Sequence, residues 1–251
     1  MPSQALKVQA IIPALNVAQL VVPRVIDRIP KHQVDEVVLI DDGSSDDTAH
    51  VAARAGATVL RHDKNRGVGA AIRTGLAHAK ARGHDAVVIL NAQGKYDPVD
   101  IATLLNPLRE GRADLVQGSR FVPGGQHVGM PVRRLLGQHA YSAVFSALLG
   151  HRITDASSGI RAFFVSVAHH PQIDLSQPWL DRYELEPYLL YRAVQVGLRV
   201  VEVPMLAVYP KERADYTRMR PGIDWWHLSH PLVVLATQRA RDLLNTRRNG
   251  R

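Results

Sequence analysis

Two adjacent carboxylates, Asp41 and Asp42, follow the apolar run 36–40. A carboxylate at the end of a strand can accept hydrogen bonds from the imide of uracil or thymine, or from ribose hydroxyls. The same two acids could instead cap the following helix, although Ser45 and Asp46 are sufficient for that capping. We therefore interpret Asp41 and Asp42 as nucleotide ligands.

A second polar group follows the apolar run 86–90. Asn91 and Gln93 alternate along the chain, so they point to one side of a strand, and Lys95 comes two residues later. An amide oxygen can ligate a divalent cation but brings no charge, whereas the ammonium of Lys95 can neutralise a diphosphate directly. Asp97 could add one carboxylate to this site, or it could simply start the next helix.

A glycine-containing segment, 65–71, opens a predicted helix and includes Gly67 and Gly69. Glycines permit close approach to the backbone, and the free amides at a helix start favour an anion or a carbonyl. The same pattern is also typical of a simple helix-start turn, and both interpretations remain open. Gly69 is our candidate for contact with a ligand.

Alternating strands and helices position these groups. The predicted strands are 8–13, 36–40, 57–60, 86–90, 115–117, 158–164 and 198–203. The predicted helices cover 17–29, 67–82, 134–149 and 183–196, and a further helix begins at about 224. Another helix is opened by the capping residues 44–48 and runs through 55. Short apolar strands between helices predict an α/β fold with a central, mostly parallel sheet and helices on both faces. Right-handed crossovers would place the carboxyl end of every strand at one edge, where such sheets bind ligands.

Composition narrows the class of protein. The chain carries 31 Lys and Arg against 23 Asp and Glu, which fits either an anionic partner or an ordinary basic surface. The absence of cysteine excludes disulfides and thiolate metal sites. No secretory signal and no apolar run long enough to span a bilayer occur, and no nucleic-acid-binding motif is present. We expect one domain over 1–235, a basic tail over 236–251, and a cytoplasmic location.

In their order along the chain, these groups resemble the family 2 glycosyltransferases, which have the Rossmann-like GT-A fold. The first of the family's motifs is the segment 12–16, at the end of the first strand. The branch that contains the dolichol-phosphate mannose synthases and other polyprenyl-phosphate glycosyltransferases is most similar. Three later segments match that branch: Gly-Ser-Arg at 118–120, Asp-Ala-Ser-Ser-Gly-Ile-Arg at 155–161 and Glu-Val-Pro at 202–204.

The resemblance implies roles for particular residues. The residues expected in the nucleotide pocket are Pro13, Asn16 and Asp42, with Asp41 beside them. Arg120 and Arg134 (or Arg133) match positions that hold phosphates of the donor or acceptor, and a guanidinium suits phosphate oxygens. Arg133 and Arg134 could equally form surface ion pairs. Asp155 is the candidate general base for a hydroxyl acceptor, or it could bond within its own turn.

The chain departs from the family pattern at the fourth motif. The family has Asp-x-Asp, often followed two residues later by Gln, whereas this chain has Asn91, Gln93 and Lys95. Both carboxylates are therefore replaced by neutral amides, which weakens any site for Mg²⁺ or Mn²⁺. We expect Lys95 to take over the neutralisation of the leaving diphosphate, so that a metal at Asn91 and Gln93 is weakly bound or dispensable.

The resemblance predicts transfer of a sugar, with inversion, from a UDP-, GDP- or TDP-sugar to a polyprenyl phosphate at the inner face of the membrane. Alternatives are transfer to a soluble acceptor and non-catalytic binding of a nucleotide sugar. A nucleotidyltransferase is disfavoured because no glycine-rich basic loop follows the first strand.

Helix 134–149 fits either an interfacial or a core position. Glu184 and Glu186 could contact sugar hydroxyls or only favour a helix start, and 216–226 could cover the donor or form a core edge.

Overall fold

The computed structural model describes residues 6–209 and 230–237. Within these residues, seven strands form one sheet: β1 (Val8–Ala14), β2 (Glu36–Asp41), β3 (Thr58–Arg61), β4 (Ala86–Ile89), β5 (Leu115–Ser119), β7 (Arg161–Phe164) and β8 (Val200–Pro204). Two further strands, β6 (Gln126–Val128) and β9 (Leu206–Val208), pair in parallel as a second, small sheet.

The helices alternate with these strands along the chain. They are α1 (Ala18–Arg24), α2 (Thr48–Arg54), α3 (Val68–Ala81), α4 (Ile101–Arg109), α5 (Val132–Leu149), α6 (Val165–Ala168) and α7 (Leu185–Gln195). Residues 230–237 are also helical. The start of the helix predicted from about 224, the segment 216–226 and most of the predicted tail lie outside the described residues, so the domain division stays a prediction.

The central sheet has the order β3-β2-β1-β4-β7-β5-β8. All neighbouring strands are parallel except for β7, which is antiparallel to both β4 and β5. The expectation that every strand ends at the same edge is therefore wrong for β7. Because β7 runs in the opposite direction, its beginning lies at the carboxyl edge, where Arg161 is paired with Ile89.

Two hydrophobic cores, one on each face of the sheet, confirm the predicted layers. In β1, Ala10 and Ile12 face the core that contains residues of α1, α2 and α4, while Ile11 faces the core that contains residues of α3, α5 and α7. Successive side chains of a strand point to opposite faces, so a strand covered on both faces is apolar throughout. This burial explains the continuous apolar runs in the sequence.

Several predicted elements have different bounds in the structure. The helix expected over 17–29 ends at Arg24, because Pro23 offers no amide hydrogen and Val25 leaves helical geometry; a short 3₁₀ turn, Ile26–Arg28, follows. The strand expected over 158–164 begins only at Arg161, since Ser158 lies in a turn in which its amide donates to the Asp155 carbonyl at 3.3 Å. Helix α5 begins at Val132, two residues earlier than expected.

Candidate functional site

A cleft of about 580 Å³ opens at the carboxyl edge of the central sheet. Its walls come from the ends of β1, β2 and β4, the starts of α3 and α7, the inner side of α5 and the loop before β7. The polar and charged residues that line it are Asp42, Asn65, Asn91, Gln93, Lys95, Arg134, Gln138, Ser157, Ser158, Arg161, Arg182, Tyr183 and Glu186. The cleft therefore lies where the alternating pattern predicted it.

Asp42 is almost fully buried at one wall of the cleft. Its Oδ1 accepts hydrogen bonds from the amide of Arg66 at 2.9 Å and from Nδ1 of His62 at 2.7 Å. Its Oδ2 accepts from the amide of Gly67 at 2.7 Å. These contacts fix the carboxylate as an acceptor and leave it part of its acceptor capacity, since an ionised carboxylate offers about four lone-pair positions.

The start of α3 packs closely against the protein's own backbone. A Cβ on Gly69 would lie 2.0 Å from the carbonyl oxygen of Leu180, and one on Gly67 would lie 2.3 Å from that of Asp181. The amide of Ala70 donates to the Asp181 carbonyl at 3.0 Å. The two glycines thus permit close packing of the loop before α7. Gly69, our candidate for ligand contact, lies beneath this loop and does not line the cleft.

The segment after β4 places three polar side chains along the cleft floor. Oδ1 of Asn91 accepts a hydrogen bond from the amide of Gln93 at 3.2 Å. The amide of Val208, in β9, donates to the carbonyl of Lys95 at 2.9 Å and anchors the segment to the small sheet. The side chain of Lys95 is buried, with its Nζ 4.9 Å from the ring centroid of Tyr96.

Lys95 belongs to a group of three cations around Tyr209. Its Nζ lies 5.6 Å from the Tyr209 ring centroid, and the guanidinium carbon of Arg134 lies 5.3 Å from the same centroid. Arg120 donates to the Tyr209 hydroxyl. Burial, reinforced by the positive charges of Arg120 and Arg134, lowers the pKa of Lys95 well below its usual value. The group is therefore electrostatically poised to receive an anion.

Arg120 and Asp155 pair behind the cleft and do not line it. Oδ2 of Asp155 accepts from Nε of Arg120 at 2.6 Å, and Oδ1 accepts from Nη2 at 2.5 Å. Oε1 of Glu202 accepts a hydrogen bond from the Asp155 amide at 2.9 Å, and this contact fixes the loop before β7. Asp42 and Lys95 thus share the cleft, whereas Arg120 does not line it.

The remaining predicted residues divide between the cleft and its surroundings. Pro13, Asn91, Gln93 and Arg134 line the cleft. Asn16 lies outside it, where Oδ1 accepts from the Ser45 amide at 2.9 Å and so ties β1 to the loop after β2. Asp41 is fully buried, and its Oδ1 accepts from the Ser44 amide at 2.9 Å.

The lining residues that had no role assigned from the sequence include Asn65, Gln138, Arg161 and Arg182. Arg161 is buried in the cleft wall, where it donates from Nη1 to the Glu186 carbonyl at 2.8 Å and from Nη2 to the Ser158 carbonyl at 2.5 Å. Burial lowers the pKa of Arg161. Its place at the end of the Asp-x-x-Ser-Gly pattern was a usable signal, as was the place of Asn65 at the start of the glycine-containing segment 65–71. Gln138 and Arg182 stand in no pattern that distinguishes them.

The donor set after β4 does not fit a hard divalent cation. Mg²⁺ and Mn²⁺ prefer carboxylate oxygens, and the two lining groups where the family has carboxylates are the amides of Asn91 and Gln93. Over residues 6–209 and 230–237, no cluster of three or more His, Asp or Glu side chains could hold a metal ion. When Lys95 is protonated, its buried ammonium also opposes cation binding at this position.

Comparison with known proteins extends these observations. Residues 9–170 match the family model described as Glycosyl transferase family 2. An undecaprenyl-phosphate mannosyltransferase of Micrococcus luteus is 32% identical over 226 residues, which cover 87% of this chain and 89% of that protein. A polyprenol monophosphomannose synthase of Mycolicibacterium smegmatis is 33% identical over 204 residues, which cover 78% and 75%.

Two further proteins are similar. A UDP-N-acetylglucosamine–dolichyl-phosphate N-acetylglucosaminyltransferase of Methanococcus voltae is 29% identical over 216 residues, which cover 79% of this chain and 84% of that protein. Among solved structures, glucosyl-3-phosphoglycerate synthase of Mycobacterium tuberculosis in complex with Mn²⁺, UDP and glucosyl-3-phosphoglycerate superposes with a TM-score of 0.68. That match covers 94% of this chain and 80% of the other at 22% identity, and it supports the fold alone.

Proposed function

The chain belongs to glycosyl transferase family 2, and from that membership we propose that it transfers a sugar from a nucleoside-diphosphate donor to a polyprenyl phosphate. In this reaction an oxygen of the acceptor phosphate attacks the anomeric carbon in line. The bond from that carbon to the donor diphosphate breaks, the nucleoside diphosphate leaves, and the anomeric configuration inverts. The observation that carries the proposal is that the carboxylate of Asp42, which accepts hydrogen bonds, lines the same cleft as the cations Lys95 and Arg134.

Asp42 is suited to hold the base of the donor. Its carboxylate is fixed by two backbone amides and keeps acceptor capacity toward the cleft. Uracil, thymine and guanine each present an N–H of an imide or lactam that can donate to such a group. This chemistry supports UDP-, TDP- or GDP-sugars as the class of donor.

Lys95 is suited to neutralise the leaving diphosphate. A preorganised cation in a site that excludes water stabilises developing negative charge without the reorganisation that solvent requires. Because Asn91 and Gln93 replace the carboxylates that would bind a metal, we assign this charge neutralisation to Lys95, with Arg134 beside it. The reaction is then independent of Mg²⁺ or Mn²⁺, or nearly so.

The state of Asp155 favours a phosphate acceptor over a hydroxyl acceptor. A hydroxyl requires a general base, whereas a phosphate is already anionic near neutral pH. Both carboxylate oxygens of Asp155 are engaged by Arg120, so Asp155 is poorly placed to remove a proton. Arg134, at the start of α5, supplies a guanidinium that suits phosphate oxygens.

The outer face of α5 supports an acceptor that resides in a membrane. Val132, Leu136 and Val144 are 69%, 64% and 49% exposed, whereas the outer face of a surface helix is normally polar. The stretch 115–154 contains four Arg and no acidic residue, so the charge at the start of α5 complements anionic lipid. Among the described residues, no helix has the length and hydropathy of a transmembrane span. We propose that α5 lies against the bilayer surface.

A transfer assay tests the proposal directly. The purified chain is incubated with labelled UDP-, TDP- and GDP-sugars and with undecaprenyl phosphate in anionic vesicles, in parallel with a soluble sugar phosphate and with buffer alone. Label in the lipid fraction is expected for one donor. Label only in the soluble phosphate would move the acceptor to a soluble compound, and binding of a donor without hydrolysis or transfer would make the chain a binding protein.

A further inference from the structure

His62 lies behind Asp42 and has no part in the function described so far. Its side chain is 5% exposed, directly follows β3 and does not line the cleft. Nδ1 is 2.7 Å from Oδ1 of Asp42, and Nε2 is 2.9 Å from the hydroxyl oxygen of Thr74, in α3. A buried imidazole with both nitrogens engaged is a fixed element of the site.

The contacts determine which nitrogen carries a proton. Asp42 already accepts from the amides of Arg66 and Gly67, so it is held as a carboxylate. A carboxylate oxygen can only accept, and Nδ1 must therefore carry hydrogen. The Thr74 hydroxyl can donate either to Nε2 or to the Ala70 carbonyl at 3.1 Å, so the Nδ1–H form is compatible with either charge state of the ring.

We propose that His62 is a positioning residue for recognition of the donor base. Nδ1–H fixes the rotation of the Asp42 carboxylate, so that its remaining acceptor position meets the N–H of the base. The consequence is selectivity: a base with an imide or lactam N–H is bound, and the same base methylated at that nitrogen is rejected. This inference rests on the proposed function, because it concerns the donor of that same cleft.

Binding measurements with methylated nucleotides test the role. The tightest ligand among UDP, dTDP and GDP is first identified by calorimetry, and its analogue methylated at the imide or lactam nitrogen is then measured. We expect methylation to weaken binding to the wild type by about 10-fold or more, because a hydrogen bond to a buried charged group is lost. In His62→Leu this penalty should be smaller by about threefold or more, which is the coupling expected between neighbouring groups.

Matched variants separate positioning from general loss of structure. His62→Asn retains an N–H near the position of Nδ1 and should restore most of the penalty, whereas His50→Leu, an exposed histidine of α2, should leave it unchanged. If His62→Leu does not fold, the methylation penalty is compared with the wild type in His62→Phe, which keeps an aromatic ring at this position but has no N–H. The ¹⁵N signal of Nδ1 in the wild-type protein gives a reading without any variant, and an unprotonated Nδ1 would overturn the inference.

The failures are distinguishable. If no nucleoside diphosphate binds to the wild type, the proposed function fails and the role of His62 fails with it. If a nucleoside diphosphate binds but methylation carries no penalty, or the penalty is the same in His62→Leu, the role of His62 is wrong while the proposed function stands. A merely structural histidine would weaken both ligands equally and leave their ratio unchanged.

Discussion

Arg120 and Asp155 form a bidentate ion pair in which neither side chain has any exposed surface. The two residues are far apart in the sequence and come from the end of β5 and from the loop before β7. Taking both charges out of water is costly, and the pair offsets that cost only while it stays intact. The pair therefore fixes the loop 155–160 beneath the cleft.

Breaking this pair should destabilise the protein strongly. Asp155→Ala leaves Arg120 buried without its partner, and we expect the free energy of unfolding to fall by about 3–5 kcal/mol. The double variant Arg120→Met/Asp155→Leu removes both charges and should be more stable than Asp155→Ala. Urea denaturation followed by circular dichroism measures both effects. A loss below about 1 kcal/mol for Asp155→Ala, as for an exposed ion pair, would contradict the interpretation.

Binding of a nucleoside diphosphate should be accompanied by proton uptake at Lys95. Burial and the charges of Arg120 and Arg134 lower the pKa of Lys95 in the free protein, and a bound diphosphate would raise it again. At a pH between the pKa values of Lys95 in the free and in the bound protein, binding takes up one proton. At lower or higher pH, binding takes up none. Calorimetry in buffers of different ionisation enthalpy detects this uptake as a function of pH. Lys95→Met should bind without it, and uptake that persists in Lys95→Met would assign the proton to another group.

Metal dependence should be created by restoring carboxylates after β4. We expect the wild-type transfer rate to change by less than about twofold in excess chelator, because the neutral amides of Asn91 and Gln93 are poor ligands for a hard cation. The triple variant Asn91→Asp/Gln93→Asp/Lys95→Gln supplies two carboxylates and removes the competing ammonium. Its activity should be low in chelator and rise by about 10-fold or more with Mn²⁺, which can act as the missing charge. Complete loss of wild-type activity in chelator, with recovery in Mn²⁺, would refute the role of Lys95.

Two helical glycines should respond to alanine in opposite directions. A Cβ on Gly69 would lie 2.0 Å from the Leu180 carbonyl oxygen, so Gly69→Ala should cost about 1–3 kcal/mol through displaced backbone. Gly137, in α5, has nothing within 4 Å of the same position, and Gly137→Ala should stabilise by about 0.5–1 kcal/mol. Thermal and urea unfolding of the two variants provide the comparison. Equal effects would mean that the loop before α7 is not packed on α3 in solution.

Membrane binding should depend on the outer face of α5. Leu136→Glu places a negative charge on a residue that is 64% exposed and should abolish co-sedimentation with anionic vesicles at low salt. Val99→Glu makes the same kind of change at a 51% exposed valine near the start of α4 and should leave vesicle binding intact. Neither change should alter binding of a soluble nucleoside diphosphate. Loss of vesicle binding in both variants would indicate a non-specific effect of charge.

Much of the central fold could be predicted because strands covered on both faces are apolar throughout. This signal located β1, β2 and β4, and with them the edge where Asp42 and Lys95 meet. The direction of β7 could not be predicted in the same way, since a strand of four mostly buried residues looks the same in either orientation. Strands β6 and β9 are three residues each and pair across a long stretch of chain, which leaves no local pattern.

The lining of the cleft could be predicted after β2 and β4, but it could not be predicted where two distant groups satisfy each other. The sequence placed Arg120 and Asp155 in the site, but it could not reveal that each is the other's partner. For Gly69 the sequence indicated close approach of an oxygen atom, and the oxygen belongs to the protein's own backbone. Propensity and periodicity describe the chain locally, whereas these contacts are decided by tertiary packing.

The packing at the start of α3 also determines how a nucleotide can enter. In many α/β proteins the positive end of a helix receives a pyrophosphate. Here the carboxylate of Asp42 and the carbonyl of Asp181 already occupy amides of that first turn, whereas Lys95 and Arg134 are the cations grouped at Tyr209. A nucleoside diphosphate that arrived backwards would press its phosphates against a carboxylate. Under the proposed function, this arrangement of charges favours a donor whose base leads toward α3.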